Sequence, residues 1–177
     1  MSSFADHFSA AAESYAVYRP HYPAKLFEWL ASVAPANDLA WYQEARRTLV
    51  RGGVLAVWSY GLGKFGEPAI DEALARFYGT TVGSYWPPER VVVDEGYEKL
   101  DFPFDGLAPP LLTMEARWTL AQLAGYLGTW SAVRRARSAT GVDPLPGFLD
   151  HLAPLWGEPP RPRIIRWPVS IRAGRVA

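Results

Sequence analysis

The sequence has no cysteine, three histidines and two methionines in 177 residues. Without cysteine there can be no disulfide, no thiolate-held zinc and no thiol nucleophile. His7, His21 and His151 lie too far apart in the chain to form a histidine metal-binding motif, so no metal is expected. Net charge is also lacking, since 18 Lys and Arg balance 18 Asp and Glu. Nothing global therefore attracts a nucleic acid or an anionic membrane, and neither is an expected partner. Long apolar runs are missing too. The longest uncharged stretch, Trp118 to Val133, is interrupted by Thr, Gln, Gly and Ser and is shorter than the ~20 residues of a membrane span. The N-terminal residues carry Asp6 and no basic-then-apolar signal, so a cytoplasmic protein is expected.

Aromatic residues are plentiful. Hydrophobic residues make up 49% of the chain, with 8 Trp, 9 Tyr and 8 Phe, enough for one domain with a substantial core. Charge is uneven along the chain. From Arg134 onward eight Arg face only Asp143, Asp150 and Glu158, a pattern that fits a solvated basic face better than a phosphate site.

The stretch Gly52-Gly53-Val54-Leu55-Ala56-Val57-Trp58-Ser59-Tyr60 organises the rest. Two glycines stop a preceding polar helix at 42–49, and the uncharged run that follows predicts a strand over 53–60 covered on both faces. Upstream, Phe4, Phe8 and Ala11 predict an amphipathic helix over 3–14, and the prolines of Tyr18-Arg19-Pro20-His21-Tyr22-Pro23 predict an extended segment. A second helix starts at Pro23 with Leu26, Phe27, Leu30 and Val33 on its apolar face. Asp38 to Trp41 has the pattern of a strand start.

Downstream, Pro68 to Tyr78 predicts a helix. Residues 79–110 mix aromatics with turn residues and one β-rich run, Val91-Val92-Val93, and are expected to form an irregular lid. Leu111 to Trp118 is a strand candidate. Thr119-Leu120-Ala121-Gln122 is a capping box opening a helix whose apolar face is Leu120, Leu123, Leu127, Trp130 and Val133. Gly125 and Gly128 each cost that helix about 1 kcal/mol, which suggests close packing. Asp143-Pro144 starts a further helix, kinked or ended at Pro154. Ile165, Trp167, Val169, Ile171 and Ala173 alternate with polar residues over 163–175, the period of a half-buried strand. Pro168 inside it demands a bulge or an edge.

Gly61-Leu62-Gly63-Lys64-Phe65-Gly66 fits the dinucleotide-loop spacing. The acidic residue expected about twenty positions later has no good counterpart, so a nucleotide-phosphate loop is the weaker reading. Trp58 and Tyr60 lie at the carboxyl end of a strand, where open α/β sheets bind ligands. With Trp86 they are the candidate substrate contacts, and core packing is the alternative for each. His21 is a loop histidine or a general base.

Four stretches carry a resemblance to a known family. They are Phe8 through Pro23, Glu44-Ala45-Arg46-Arg47-Thr48-Leu49-Val50-Arg51-Gly52-Gly53 running on to Trp58, Leu127-Gly128-Thr129-Trp130-Ser131-Ala132, and Trp167 through Arg175. In that order they resemble the class I S-adenosylmethionine-dependent methyltransferases, in the branch of methyltransferase type 11 and trans-aconitate methyltransferase-like proteins. The resemblance implies an α/β Rossmann-like fold with a small mixed sheet, strands near 53–60, 111–118 and 163–175, flanked by helices. Residues 53–60 would be strand five, 111–118 strand six, and 163–175 strand seven, inserted antiparallel between them. It also implies a single domain over 1–177: an N-terminal helical cap at 1–35, a strand-one remnant at 36–41, and the C-terminal half of the methyltransferase domain at 42–177 with a lid at 79–110.

The resemblance implies S-adenosylmethionine as cofactor, Tyr18, Arg19 and Tyr22 as cofactor contacts, and methyl transfer to a small-molecule acceptor such as a carboxylate. No catalytic residue is assigned. One departure matters. The Gly-rich cofactor loop and the acidic residues that follow it in the family are missing between Ala40 and Tyr42, roughly three strand-helix units of ~25–30 residues each. The sequence therefore suggests a truncated member in which methyl transfer is impaired, or an inactive pseudoenzyme acting as an interaction module. The unpaired edge of strand 53–60 suggests a homodimer.

Overall fold

The computed structural model describes residues 17–33, 49–99, 102 and 104–176. The helix expected at 3–14, the strand remnant at 36–41 and most of the helix at 42–49 lie outside the described residues. The chain forms two compact units from interleaved segments. One comprises the described residues of Met1–His21, with Gly63–Pro88 and Glu115–Arg166; the other comprises Tyr22–Leu62, Glu89–Met114 and Trp167–Ala177. We call them the helical unit and the sheet unit.

In the sheet unit, α1 (Ala24–Val33) begins just after Pro23, whose carbonyl accepts from Leu26 N–H at 3.0 Å. Leu26 is fully buried, whereas Phe27 is 52% exposed, so Phe27 does not belong to the apolar face assigned to it. Strand β1 (Val54–Tyr60) is half-buried at every residue, not sealed on both faces. The cause lies in its pairing. Among the described residues β1 pairs only with β4 (Arg163–Arg175), antiparallel from Val54↔Arg175 to Tyr60↔Val169. On the other side of β4 sits β2 (Asp105–Leu107), with Asp105↔Arg175 and Leu107↔Ala173. Strand β3 (Leu112–Trp118) also pairs with β4. The central strand is therefore the last one in the chain, the order the family resemblance implies.

Pro168 sits in this central strand, and the ladder accommodates it. Gly61 N–H donates to the Pro168 carbonyl at 3.1 Å. Pairing resumes at Lys64↔Arg166, so four residue steps from Tyr60 to Lys64 oppose three from Val169 to Arg166. That one-residue excess is a bulge, located where proline cannot donate.

The expected lid is partly regular. The Val91-Val92-Val93 run is helical, in α3 (Arg90–Asp94), rather than extended. An Arg90–Asp94 ion pair at 3.0 Å spans that turn, and local context overrides β-branched propensity.

The helical unit contains α2 (Pro68–Arg76), a π-turn at Phe77–Thr81, a 3-10 turn at Gly83–Tyr85, α4 (Leu120–Gly128), α5 (Ser131–Thr140) and α6 (Leu145–Trp156). The capping box forms, with Gln122 N–H donating to Thr119 Oγ1 and Thr119 N–H to Gln122 Oε1. The helix predicted to run from Leu120 through Val133 is two helices, because Thr129 and Trp130 interrupt it. The Thr129 hydroxyl bonds back to the Tyr126 carbonyl at 2.6 Å, competing with the helical ladder. Helix α6 opens on Asp143, whose carboxylate accepts from Leu145 N–H at 3.1 Å. It runs through Pro154 to Trp156 and stops at Gly157, whose φ of +79° suits glycine. Arg163 then bonds to the Trp156 carbonyl at 2.7 Å and pairs with Glu67, fastening the start of β4 to α6 and α2.

The core of this unit is dense, with Leu123, Leu127, Leu152 and Trp156 showing no exposure. Leu152→Ala should cost about 2–5 kcal/mol and Thr119→Ala about 1 kcal/mol, both measurable by urea unfolding.

Candidate functional site

The residues flagged in the sequence fall into two groups. Tyr18, Arg19 and Trp86 belong to the helical unit; Tyr22, Trp58 and Tyr60 belong to the sheet unit.

In the helical unit, Tyr18 and Arg19 lie against α4 and its C-terminal end. A β-carbon on Gly125 would overlap the Tyr18 ring, so the bare glycine backbone makes room for that ring. This is the close packing its position in a helix suggested. Gly128, by contrast, has ordinary spacing, with 3.7 Å to Leu145. Arg19 Nε donates to Thr129 Oγ1 at 3.1 Å, and its guanidinium lies 5.4 Å from the Tyr126 ring centroid, a cation–π arrangement. Aromatic contacts continue from Tyr126 to Trp130 at 5.7 Å, and from Trp130 to Trp86 at 5.4 Å. Trp86 also lies 4.9 Å from Tyr78 and donates its indole N–H to the Tyr78 carbonyl at 3.1 Å. Trp86 is thus held by packing within this cluster. Tyr126 and Thr129 were not singled out beforehand. Thr129 lies within the Leu127–Ala132 stretch that carried the resemblance, and that was the available signal.

In the sheet unit, Tyr22 meets Trp58 edge-on at 6.3 Å and Tyr60 at 5.8 Å, and Tyr60 meets Trp167 at 6.5 Å. Trp58 and Tyr60 share a face of β1 because strand side chains alternate. Between them Ser59 buries its hydroxyl with no hydrogen-bond partner, at a cost of about 1–3 kcal/mol. The tyrosine-proline segment thus supplies Tyr18 and Arg19 to the helical group and Tyr22 to the sheet group.

Another residue the sequence did not flag is Arg172. It donates to the Tyr97 and Glu98 carbonyls at 2.7 and 2.8 Å, and its guanidinium lies 5.3 Å from the Phe102 ring centroid. These bonds secure a turn in which Tyr97 adopts φ +65°, a conformation unusual for a residue with a side chain. Strand alternation alone places Arg172 only among the polar positions of β4.

The Gly61–Gly66 loop cannot cradle a phosphate. Asp71 accepts from Phe65 N–H at 2.6 Å and from Gly66 N–H at 3.0 Å. A carboxylate thus occupies the amides an anion would use and repels any anion nearby. Lys64 is in the sheet ladder and Phe65 is buried. The loop spacing is therefore structural, and the sequence offered no sign that an acidic residue five positions past Gly66 would close it.

Among the described residues, no group of three or more His, Asp or Glu could hold a metal, and no helix is long and apolar enough to cross a membrane. The family-implied S-adenosylmethionine does not fit the described residues. The Gly-rich loop of the family is missing from the sequence, the one Gly-rich loop is sealed by Asp71, and Tyr18 and Arg19 are engaged by α4.

No family model matches the chain. A provisionally named methyltransferase of Dictyostelium discoideum is 28% identical over 118 residues, 66% of this chain. The match spans 45% of that relative's length, under half. A solved structure from Anaeromyxobacter dehalogenans, also provisionally named, as a type II methyltransferase, is 32% identical with a TM-score of 0.79. The similarity covers 89% of this chain and 98% of that one.

The packing of Tyr18 on α4 can be tested. Gly125→Ala should expel the Tyr18 ring and speed chymotryptic cleavage after Tyr18 several-fold. If the variant instead gains about 1 kcal/mol of helix stability with unchanged cleavage, Tyr18 does not occupy that site in solution.

Proposed function

The chain belongs to the methyltransferase family, and we propose that it is the acceptor-side half of an S-adenosylmethionine-dependent methyltransferase fold that does not hold the methyl donor by itself. The observation that carries this reading is the sheet order. Strand β4 lies between β1 and β3, as strand seven lies between strands five and six in the family the sequence resembles. The segments preceding strand five, which supply the Gly-rich loop and its acidic partners in the family, have no counterpart here. The near end-to-end match to the Anaeromyxobacter chain supports the reading that this half folds as an entity.

Methyl transfer from a sulfonium depends mostly on positioning donor and acceptor, so losing the donor site removes most of the catalytic advantage. The half that remains offers aromatic surface. On this reading Tyr22, Trp58 and Tyr60 contact a small acceptor, such as a carboxylate, and Trp86 packs the helical unit. Tyr18 and Arg19 pack against α4, and cofactor contact would require them to leave it.

Among the described residues β1 pairs on one side only, and on this reading its other side is an edge for a second copy of the chain. Val54 to Tyr60 contains no charged residue and no proline, so it lacks the usual guards against strand addition. Antiparallel pairing about Val57 would extend the sheet across a two-fold axis.

Titration calorimetry with S-adenosylmethionine should give no binding tighter than about 100 μM, and a tighter complex would overturn the reading of a missing donor site. Light scattering should report twice the 19.7 kDa chain mass. Val57→Lys should return the monomer with its far-UV circular dichroism intact. A monomeric unsubstituted protein would overturn the edge pairing.

A further inference from the structure

A cavity of about 390 Å³ opens in the helical unit between α2 with its π-turn and the start of α6. Its volume falls in the range of small-molecule sites. Its floor is the stacked pair Phe77 and Phe148, with ring centroids 4.2 Å apart and 24° between planes. Both rings are at least nine-tenths buried, at 1% and 8% exposure, so the floor is fixed. Phe77 begins the π-turn, whose wide repeat closes through Val82 N–H to the Phe77 carbonyl. Such π-turns recur at functional sites, and this one places Thr81 at the cavity wall. Opposite, Gly147 of α6 lines the cavity, and a β-carbon built there meets nothing within 4 Å. Besides Thr81, the polar side chains that line the cavity are Arg76 and His151. Arg76 pairs with Glu72, one turn away, at 2.7 Å, with side chains 58% and 73% exposed. A pair so exposed is worth only a few tenths of a kcal/mol and yields readily to a better-placed carboxylate.

We propose that this cavity binds an amphipathic monocarboxylate, an aryl- or branched-alkyl acid. Its hydrocarbon lies on Phe77 and Phe148, and its carboxylate meets Arg76 and His151. The floor selects an apolar body. The rim selects an anion, and the planar guanidinium fork matches a carboxylate. A strongly hydrated phosphate would find one arginine and mostly hydrocarbon. The site lies wholly within the helical unit and calls on no methyl donor. It is therefore independent of the reading above and survives if that reading fails.

The probe is 3-phenylpropionate, followed by calorimetry and by ¹H–¹⁵N shifts in the full chain. Binding with Kd below about 1 mM, with shifts at Phe77–Thr81 and Gly147–His151, is the expected result. Arg76→Gln should weaken binding at least about fivefold, and 3-phenylpropanamide should bind correspondingly less well than the acid. Gly147→Leu is the decisive variant. It fills the cavity from a helical position where losing glycine favours the fold, so it should abolish binding in a stable protein. No binding at 5 mM probe, equal binding of acid and amide, or binding unchanged by Gly147→Leu would overturn the proposal.

Discussion

Every strand described in this structure depends on β4. Strands β1, β2 and β3 all pair with it, and no other strand pairing is present among the described residues. Since β4 is the last element in sequence, each pairing closes a long loop before it returns any stabilisation. Sequence alternation alone gives β4 its buried positions, Ile165 and Trp167 on one face. Pro168 would be costly in such a strand, because it lacks the N–H that an interior ladder uses. The bulge between Tyr60 and Lys64 removes that cost by shifting the register where the proline sits. The glycines at 61 and 63 thus serve the bulge and not a ligand.

Asp71 follows the same logic. The loop after β1 leaves two amides in need of acceptors, Phe65 and Gly66, and a helix start follows immediately. An anion at that place is favoured by the helix dipole. The chain supplies its own anion, since Asp71 lies in the first turn of α2. A loop that resembles a phosphate cradle is thereby a closed helix entry. The motif spacing describes the backbone, and one side chain decides whether that backbone is open to a ligand.

This explains which features were legible in the sequence. Boundaries set by local chemistry were readable: the capping box at Thr119, Asp143 before α6, and the alternation of β3 and β4. The strand order was legible only through the family resemblance, because pairing partners far apart in sequence leave no local mark. Features decided by tertiary packing were not legible. The Val91–Val93 run is extended by propensity and helical in place, and Phe27 sits at an apolar spacing but faces outward. The break at Thr129 depends on a hydroxyl that also receives Arg19, and Arg172 looks like any exposed arginine until its carbonyl partners are known. For the candidate site, the aromatic residues were recognised, but their division between two units was not, since adjacency in Tyr18-Arg19-Pro20-His21-Tyr22 suggested a common role.

On the proposed reading of a missing donor half, the same pairing pattern explains how a methyltransferase chain without its first strands would still fold. If strand seven were a marginal strand, removing the parallel strands before strand five would leave a hole in the core. Each lost contact would then cost several kcal/mol, as for large-to-small core changes. Here β4 is central and, among the described residues, β1 pairs only with it, so on the reading proposed above a loss on the far side of β1 produces an edge and not a cavity. An edge costs little in stability, because its free N–H and C=O groups bond to water, and a protein hydrogen bond is worth only about 1 kcal/mol net. What the edge changes is solubility and association, because an uncharged run such as Val54 to Tyr60 can pair with another chain. All seven β1 residues are half-buried, which fits that reading. A strand at the middle of a parallel sheet would be buried throughout, whereas this one lies between core and surface.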